Sequence, residues 1–84
     1  MNSKFKLNVL WLENKVGIAI NQNQSDKQIP LTNYIFWPKN DTWDQVRREL
    51  ETKPWIQNDD KVNLLNSTAA ILNQWQSFAN KTVE

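Results

Sequence analysis

The stretch Tyr34-Ile35-Phe36-Trp37-Pro38, followed at once by Lys39-Asn40-Asp41-Thr42-Trp43, constrains this chain more than any other. Four aromatic residues fall within these ten positions, and the periodicity of the sequence changes among them. Pro38 has no amide to give to a ladder, so a strand ends there or lies at a sheet edge. Asp41 suits the N-cap of a helix, and Asp44 three residues on comes close to a capping box. Strand and helix must therefore meet inside this stretch. Aromatic side chains each bury roughly 150–250 Å², so the run is expected to dominate the core of so small a domain.

The half before the junction alternates with period two. Phe5, Leu7, Val9 and Trp11 form one wholly apolar face of a strand over about residues 4–12, and Leu10 and Leu12 make the far end of the second face apolar too. Glu13-Asn14-Lys15 interrupts, and Val16, Ile18 and Ile20 resume over about 16–21, which reads as a hairpin in which Asn14 tolerates a positive φ. Gly17, the only glycine, marks a bulge or a close backbone approach rather than a ligand contact. Asn21 to Gln28 is polar and without periodicity, and is expected to be an exposed, mobile loop. A third strand is expected over about 33–37, with Tyr34 and Phe36 on one face and Ile35 and Trp37 on the other.

The half after the junction is helical. Trp43, Val46 and Leu50 recur at helical spacing over about 42–53, until Pro54 stops the helix. Asn58, Asp59 and Asp60 favour a second start at the positive end of a helix dipole. From Asp59 to about Asn80 no proline or glycine intervenes. Val62, Leu65, Ala69 and Leu72 form one stripe there, and Leu64, Ile71, Trp75 and Phe78 an adjacent one. So wide an apolar face must touch both the sheet and the first helix. The fold class that follows is α+β: one domain over 1–84, a small antiparallel sheet of about three strands packed against two C-terminal helices.

Chemistry is sparse. The 84 residues contain neither cysteine nor histidine, which removes disulfides, thiol nucleophiles, imidazole bases and the usual zinc ligand sets. No glycine-rich phosphate loop, nucleophile elbow or calcium loop is present. Asp59 and Asp60 sit side by side at a helix start, where they cap rather than pair. No enzyme, metal, cofactor or small-molecule substrate is expected. Five tryptophans, Trp11, Trp37, Trp43, Trp55 and Trp75, are expected in the core, where nothing covalent can help.

The net charge of +1 is weak for a nucleic-acid partner, but it is unevenly spread. Residues 1–40 carry five lysines against Glu13 and Asp26, a net +3, and residues 41–60 carry three basic groups against six acidic ones, a net −3. Ordinary solvated faces would also give this pattern. If the chain binds RNA, the available phosphate-facing groups are Lys4, Lys6, Lys15, Lys39, Arg47 and Arg48, and Trp37 could stack on a base. Arg47 and Arg48 together could clamp a phosphate, or could pair with Asp44 and Glu51 at helical spacing. No apolar run reaches the ~20 residues of a membrane span, and no signal or transit segment opens the sequence.

Several segments carry a resemblance: Leu10-Trp11-Leu12-Glu13, Pro30-Leu31-Thr32-Asn33-Tyr34-Ile35-Phe36-Trp37-Pro38, Asp41-Thr42-Trp43, Leu50-Glu51-Thr52-Lys53-Pro54-Trp55-Ile56 and Leu64-Leu65-Asn66. In this order and spacing they are similar to the plastid-specific ribosomal protein three family, small-subunit ribosomal proteins of chloroplasts and cyanobacteria. The resemblance covers roughly positions 4 to 78, less well at Asn21 to Gln28. It implies a non-catalytic structural constituent of that subunit, contacting ribosomal RNA and neighbouring ribosomal proteins and supporting translation. It also implies a monomer outside the ribosome, placed in the chloroplast stroma as a plastid-encoded chain or in cyanobacterial cytoplasm. The alternative is a non-catalytic protein-interaction or regulatory module using an exposed aromatic patch.

Overall fold

The computed structural model describes residues 4–83. Six elements follow one another: β1 (Phe5–Trp11), β2 (Val16–Gln24), β3 (Lys27–Pro30), β4 (Ile35–Trp37), α1 (Thr42–Glu51) and α2 (Asn58–Val83). The class is α+β, with an antiparallel sheet against two helices. β1 and β2 form the hairpin read from the alternation, in register from Phe5↔Gln22 to Trp11↔Val16. Its turn closes where the Leu12 amide donates to the Lys15 carbonyl at 3.0 Å. The left-handed residue is not Asn14. Among the described non-glycine residues only Ser25 has a positive φ, 54°.

Ser25 marks a second hairpin where a loop was expected. β2 runs on to Gln24 and turns through Ser25-Asp26 into β3, with Gln22↔Ile29 and Gln24↔Lys27 paired. A positive φ at the first central residue is what the primed hairpin turns require. Periodicity missed this hairpin because both of its faces are largely polar: the Asn21 amide donates to the Gln28 side-chain oxygen at 3.0 Å, and no apolar alternation signals it.

β3 and β4 share the third lane of the sheet, on the side of β2 away from β1. The chain leaves this lane between them. There Leu31 donates to the Ile20 carbonyl at 2.8 Å, and the Thr32 hydroxyl accepts the Ile20 amide at 3.1 Å, so β2 loses no bond at the gap. The strand expected over about 33–37 is consequently only Ile35–Trp37, β4.

The core lies between one face of the sheet and the helices. Val16, Ile18 and Ile20 on β2 and Val46 on α1 have no exposure, and Leu50, Ile56, Leu64, Leu72 and Trp75 complete the buried set with Phe5. Each fully buried aliphatic side chain contributes about 1.5–3 kcal/mol. Asp41 caps α1 by accepting the Asp44 amide at 3.2 Å. α2 fixes the first hairpin from below, since the Trp75 indole donates to the Leu12 carbonyl at 2.8 Å.

The tryptophans correct the sequence reading. Trp75 alone is buried; Trp11, Trp43 and Trp55 are 41%, 38% and 56% exposed, and Trp37 is half-buried. The Tyr34–Trp43 stretch therefore borders the core rather than filling it. Thr42 takes the place of Trp43 on the inner stripe of α1, with Val46 and Leu50, and Thr68 rather than Val62 faces inward on α2. A small β-branched residue fits where a helix lies close to its neighbour, and an indole does not. The Thr68 hydroxyl is satisfied by the Leu64 carbonyl one turn back, at 2.8 Å.

Candidate nucleic-acid interface

Alternation assigns every strand residue to a face. Val16, Ile18 and Ile20 of β2 pair with Val9, Leu7 and Trp11 of β1 and with Ile35 and Trp37 of β4, all on the helix side. The intervening residues look away from the helices: Lys6, Asn8 and Leu10 on β1, Gly17, Ala19 and Asn21 on β2, and Phe36 on β4.

Gly17 organises this second face. A Cβ built there would lie 2.8 Å from Cε1 of Phe36 and 3.2 Å from Cδ1 of Tyr34. Only glycine lets both rings lie down against the strand, which is the close approach the sequence suggested. The two rings form a tilted pair with centroids 6.4 Å apart. Lys15, at the end of the first turn, holds its Nζ 4.7 Å from the Phe36 centroid. Such a cation–π contact at an exposed site contributes about 0.5–1 kcal/mol, and it leaves the ammonium able to meet an anion. Tyr34 and Leu10 remain 44% and 40% exposed, and Lys6 is exposed on the neighbouring strand. A two-ring platform with a lysine over one ring, and a second lysine further along the same sheet face, is an arrangement on which an unpaired base stacks while its phosphates are neutralised.

The seven candidate residues do not all meet there. Lys15 lies with the rings, whereas Lys6 shares the sheet face but stands opposite Asn21, further along β2 from Gly17. Lys4 is exposed just before β1, its carbonyl accepting the Asn23 amide at 2.7 Å. Lys39 is exposed in the β4–α1 turn. Trp37 points to the helix side, its indole donating to the Gln76 side-chain oxygen at 3.4 Å beside a groove of about 240 Å³ that Trp43, Asp41 and α2 complete. Arg47 and Arg48 belong to an intrahelical network. Arg47 pairs with Asp44 at 2.8 Å and Glu51 at 2.7 Å, and Arg48 with Asp44 at 2.9 Å. The Arg47 hydrogen bond, helped by both guanidinium charges, holds the Asp44 carboxyl below its ordinary range. The same bond, with Glu51 beside it, raises Arg47. The sequence offered clamp and pairing as alternatives for these arginines; their side chains are paired within the helix.

Tyr34, Phe36 and Leu10 were not among the candidates. The alternation had put Tyr34 and Phe36 on one face, but whether the helices cover that face is settled by topology. Among the described residues no group of three or more carboxylates, histidines or cysteines is placed to hold a metal, and no described helix is long and apolar enough to cross a membrane.

Comparison with known proteins gives a consistent result. A family profile described as plastid and cyanobacterial ribosomal protein (PSRP-3/Ycf65) matches residues 31–78, from the end of β3 through most of α2. The small ribosomal subunit protein cS23 of Gracilaria tenuistipitata var. liui is 50% identical over 80 residues, covering 95% of this chain and 81% of that one. A probable small ribosomal subunit protein cS23 of a Synechococcus species is 46% identical over 74 residues, 88% of this chain and 75% of that one. The cS23 protein of Mesostigma viride is 38% identical over 78 residues, 93% of this chain and 63% of that one.

Proposed function

This chain belongs to the plastid and cyanobacterial ribosomal protein family PSRP-3/Ycf65, and on that premise we propose that it is a structural constituent of the small ribosomal subunit of plastids or cyanobacteria. The family is one of ribosomal structural proteins and not of enzymes. The place of work is then the ribosome, in the plastid stroma for a plastid-encoded chain or in the cytoplasm of a cyanobacterium. The chain is a monomer before it joins the subunit.

Within that reading, the helix-free face of the sheet meets ribosomal RNA. The observation that carries it is Lys15 held over Phe36 beside exposed Tyr34, with Lys6 further along the same sheet face on β1. Lys4 extends the basic strip at the start of β1, and Lys39 supplies a separate phosphate contact from the β4–α1 turn. Arg47 and Arg48 reach RNA only by exchanging carboxylate partners, so their share of the footprint is smaller. A near-neutral chain with two to four phosphate contacts predicts a shallow salt dependence, a slope of about −0.7 to −0.9 per contact. The reading of a protein-interaction module rests on the exposed indoles Trp11, Trp43 and Trp55.

Sucrose-gradient sedimentation tests this. The chain is expected to travel with small subunits at low salt and to be released as salt rises, and the double variant Lys6→Glu, Lys15→Glu to be released at distinctly lower salt. A chain that stays at the top of the gradient in low salt sinks the ribosomal reading. A double variant with unchanged release points instead to protein contacts, which tryptophan fluorescence shifting with a protein partner and not with RNA would identify.

A further inference from the structure

The outer edge of β1 is explained by neither the sheet nor the proposed RNA face. Asn23 donates to the Lys4 carbonyl, and Leu12 donates to the Lys15 carbonyl, in the same register that pairs Lys6↔Asn21 and Asn8↔Ala19. Bonding alternates along an antiparallel strand, so the even-numbered residues of β1 bond to β2. The N–H and C=O groups of Leu7, Val9 and Trp11 therefore point outward. Among the described residues nothing pairs with them there. The neighbouring side chains are apolar and open, with Val9, Leu10 and Trp11 exposed by 37%, 40% and 41%. Proteins ordinarily blunt such an edge with charge, proline or a bulge. The opposite lane is blunted in this way by Pro30, the break at Thr32 and Pro38, whereas β1 carries one charge, Lys6, with Lys4 and Glu13 beyond its ends.

We propose that the β1 edge receives an extended segment of another protein of the same small subunit, added as a further strand. The inference rests on the ribosomal reading above. Outward donors and acceptors recur together at every second residue, about 7 Å apart, and a second strand meets both kinds at that spacing. A phosphate chain would accept from the amides and leave the carbonyls unmet. The flanks define the occupant: apolar side chains opposite Val9 and Trp11, a carboxylate near Lys6 and a cation near Glu13. The RNA platform and this edge are then separate surfaces, and the chain can tie a protein to the RNA.

Val9→Pro isolates the claim, because the Val9 nitrogen faces outward and its loss costs no bond to β2. Full-length wild type and variant are sedimented with small subunits lacking this protein, and amide exchange of the wild type is followed free and bound. The expected result is at least tenfold weaker association of Val9→Pro. Exchange at Leu7, Val9 and Trp11 slows at least tenfold on joining the subunit, and a photo-cross-linker at Val9, off the RNA face, reaches a protein segment. Association of Val9→Pro equal to wild type, unslowed exchange at those amides, or cross-links only to RNA or to another copy of this chain overturn the inference while leaving the ribosomal reading intact. If Val9→Pro does not fold, Val9→Lys decides by the same criteria, placing a charge on the edge with the backbone unchanged. A wild type that never travels with the subunit overturns the ribosomal reading, and this inference with it.

Discussion

Over residues 16–20, β2 buries both of its faces, by different means. On one face Val16, Ile18 and Ile20 are sealed by two helices that arrive from far along the chain. On the other, Gly17 lies under the rings of Tyr34, which is open to solvent, and Phe36, which is half-buried. The first face is deep and aliphatic, and stability resides there. The second is one ring thick, and it can lend its rings to a ligand without disturbing the first. In a chain of 84 residues this separation lets most of one sheet face serve as surface.

The contrast can be broken at its deepest point. Trp75→Ala removes the indole beneath the first hairpin and its bond to Leu12. It is expected to cost about 3–5 kcal/mol, most of the stability of a domain this small, as read by urea denaturation. Survival with a midpoint near wild type would mean that the helix side does not carry the fold. Gly17→Val tests the thin face. Its methyl groups would collide with Phe36 and Tyr34, and the expected loss is about 1–3 kcal/mol, accompanied by exposure of the tyrosine. A neutral outcome would mean that the rings are not seated on the strand.

On the covered side, the Thr42 hydroxyl is fully buried and has no hydrogen-bond partner. Thr42→Val keeps the shape and deletes the orphan group, so the expected change is a gain of about 1 kcal/mol. A loss would reveal a partner for the hydroxyl in solution. Lys15→Gln on the thin face is expected to change stability by less than about 0.5 kcal/mol while flattening the salt dependence of subunit binding by about one contact. The smallest effect lies on the exposed side of α1. Asp44 titrates below its ordinary value of 3.8, so its contribution is complete above that pH and fades as pH falls through the lower folded value. In acid titration followed by circular dichroism, Asp44→Asn is expected to lose this part of the decline below pH 3.8. An unchanged acid limb would show that the Arg47 pair contributes nothing.

Much of this was legible in the residues. The alternation over Phe5–Trp11 and Val16–Ile20, the junction at Pro38 and Asp41, and the start of α2 near Asn58 each appear where local pattern placed them. The β2–β3 hairpin did not, because a ladder between polar strands is held by backbone groups that every sequence possesses. Of the proposed RNA residues, Lys6 and Lys15 share one face and Lys15 meets Phe36 there, but Tyr34 and Phe36 were assigned in advance to the core. Hydrophobic weight alone cannot distinguish an aromatic that fills a core from one that roofs a glycine.

Residue identity and spacing establish the class of the molecule, the strand and helix periods, the lack of cysteine and histidine, and the family. All of these depend on residue identity and near-neighbour spacing. The fold sets which face of the sheet the helices cover, that four of five tryptophans stay at least partly open, that Arg47 and Arg48 are engaged within α1, and that the outward groups of Leu7, Val9 and Trp11 have no partner among the described residues. These depend on contacts between residues distant in sequence, and a period-two pattern is the same whichever face is turned inward.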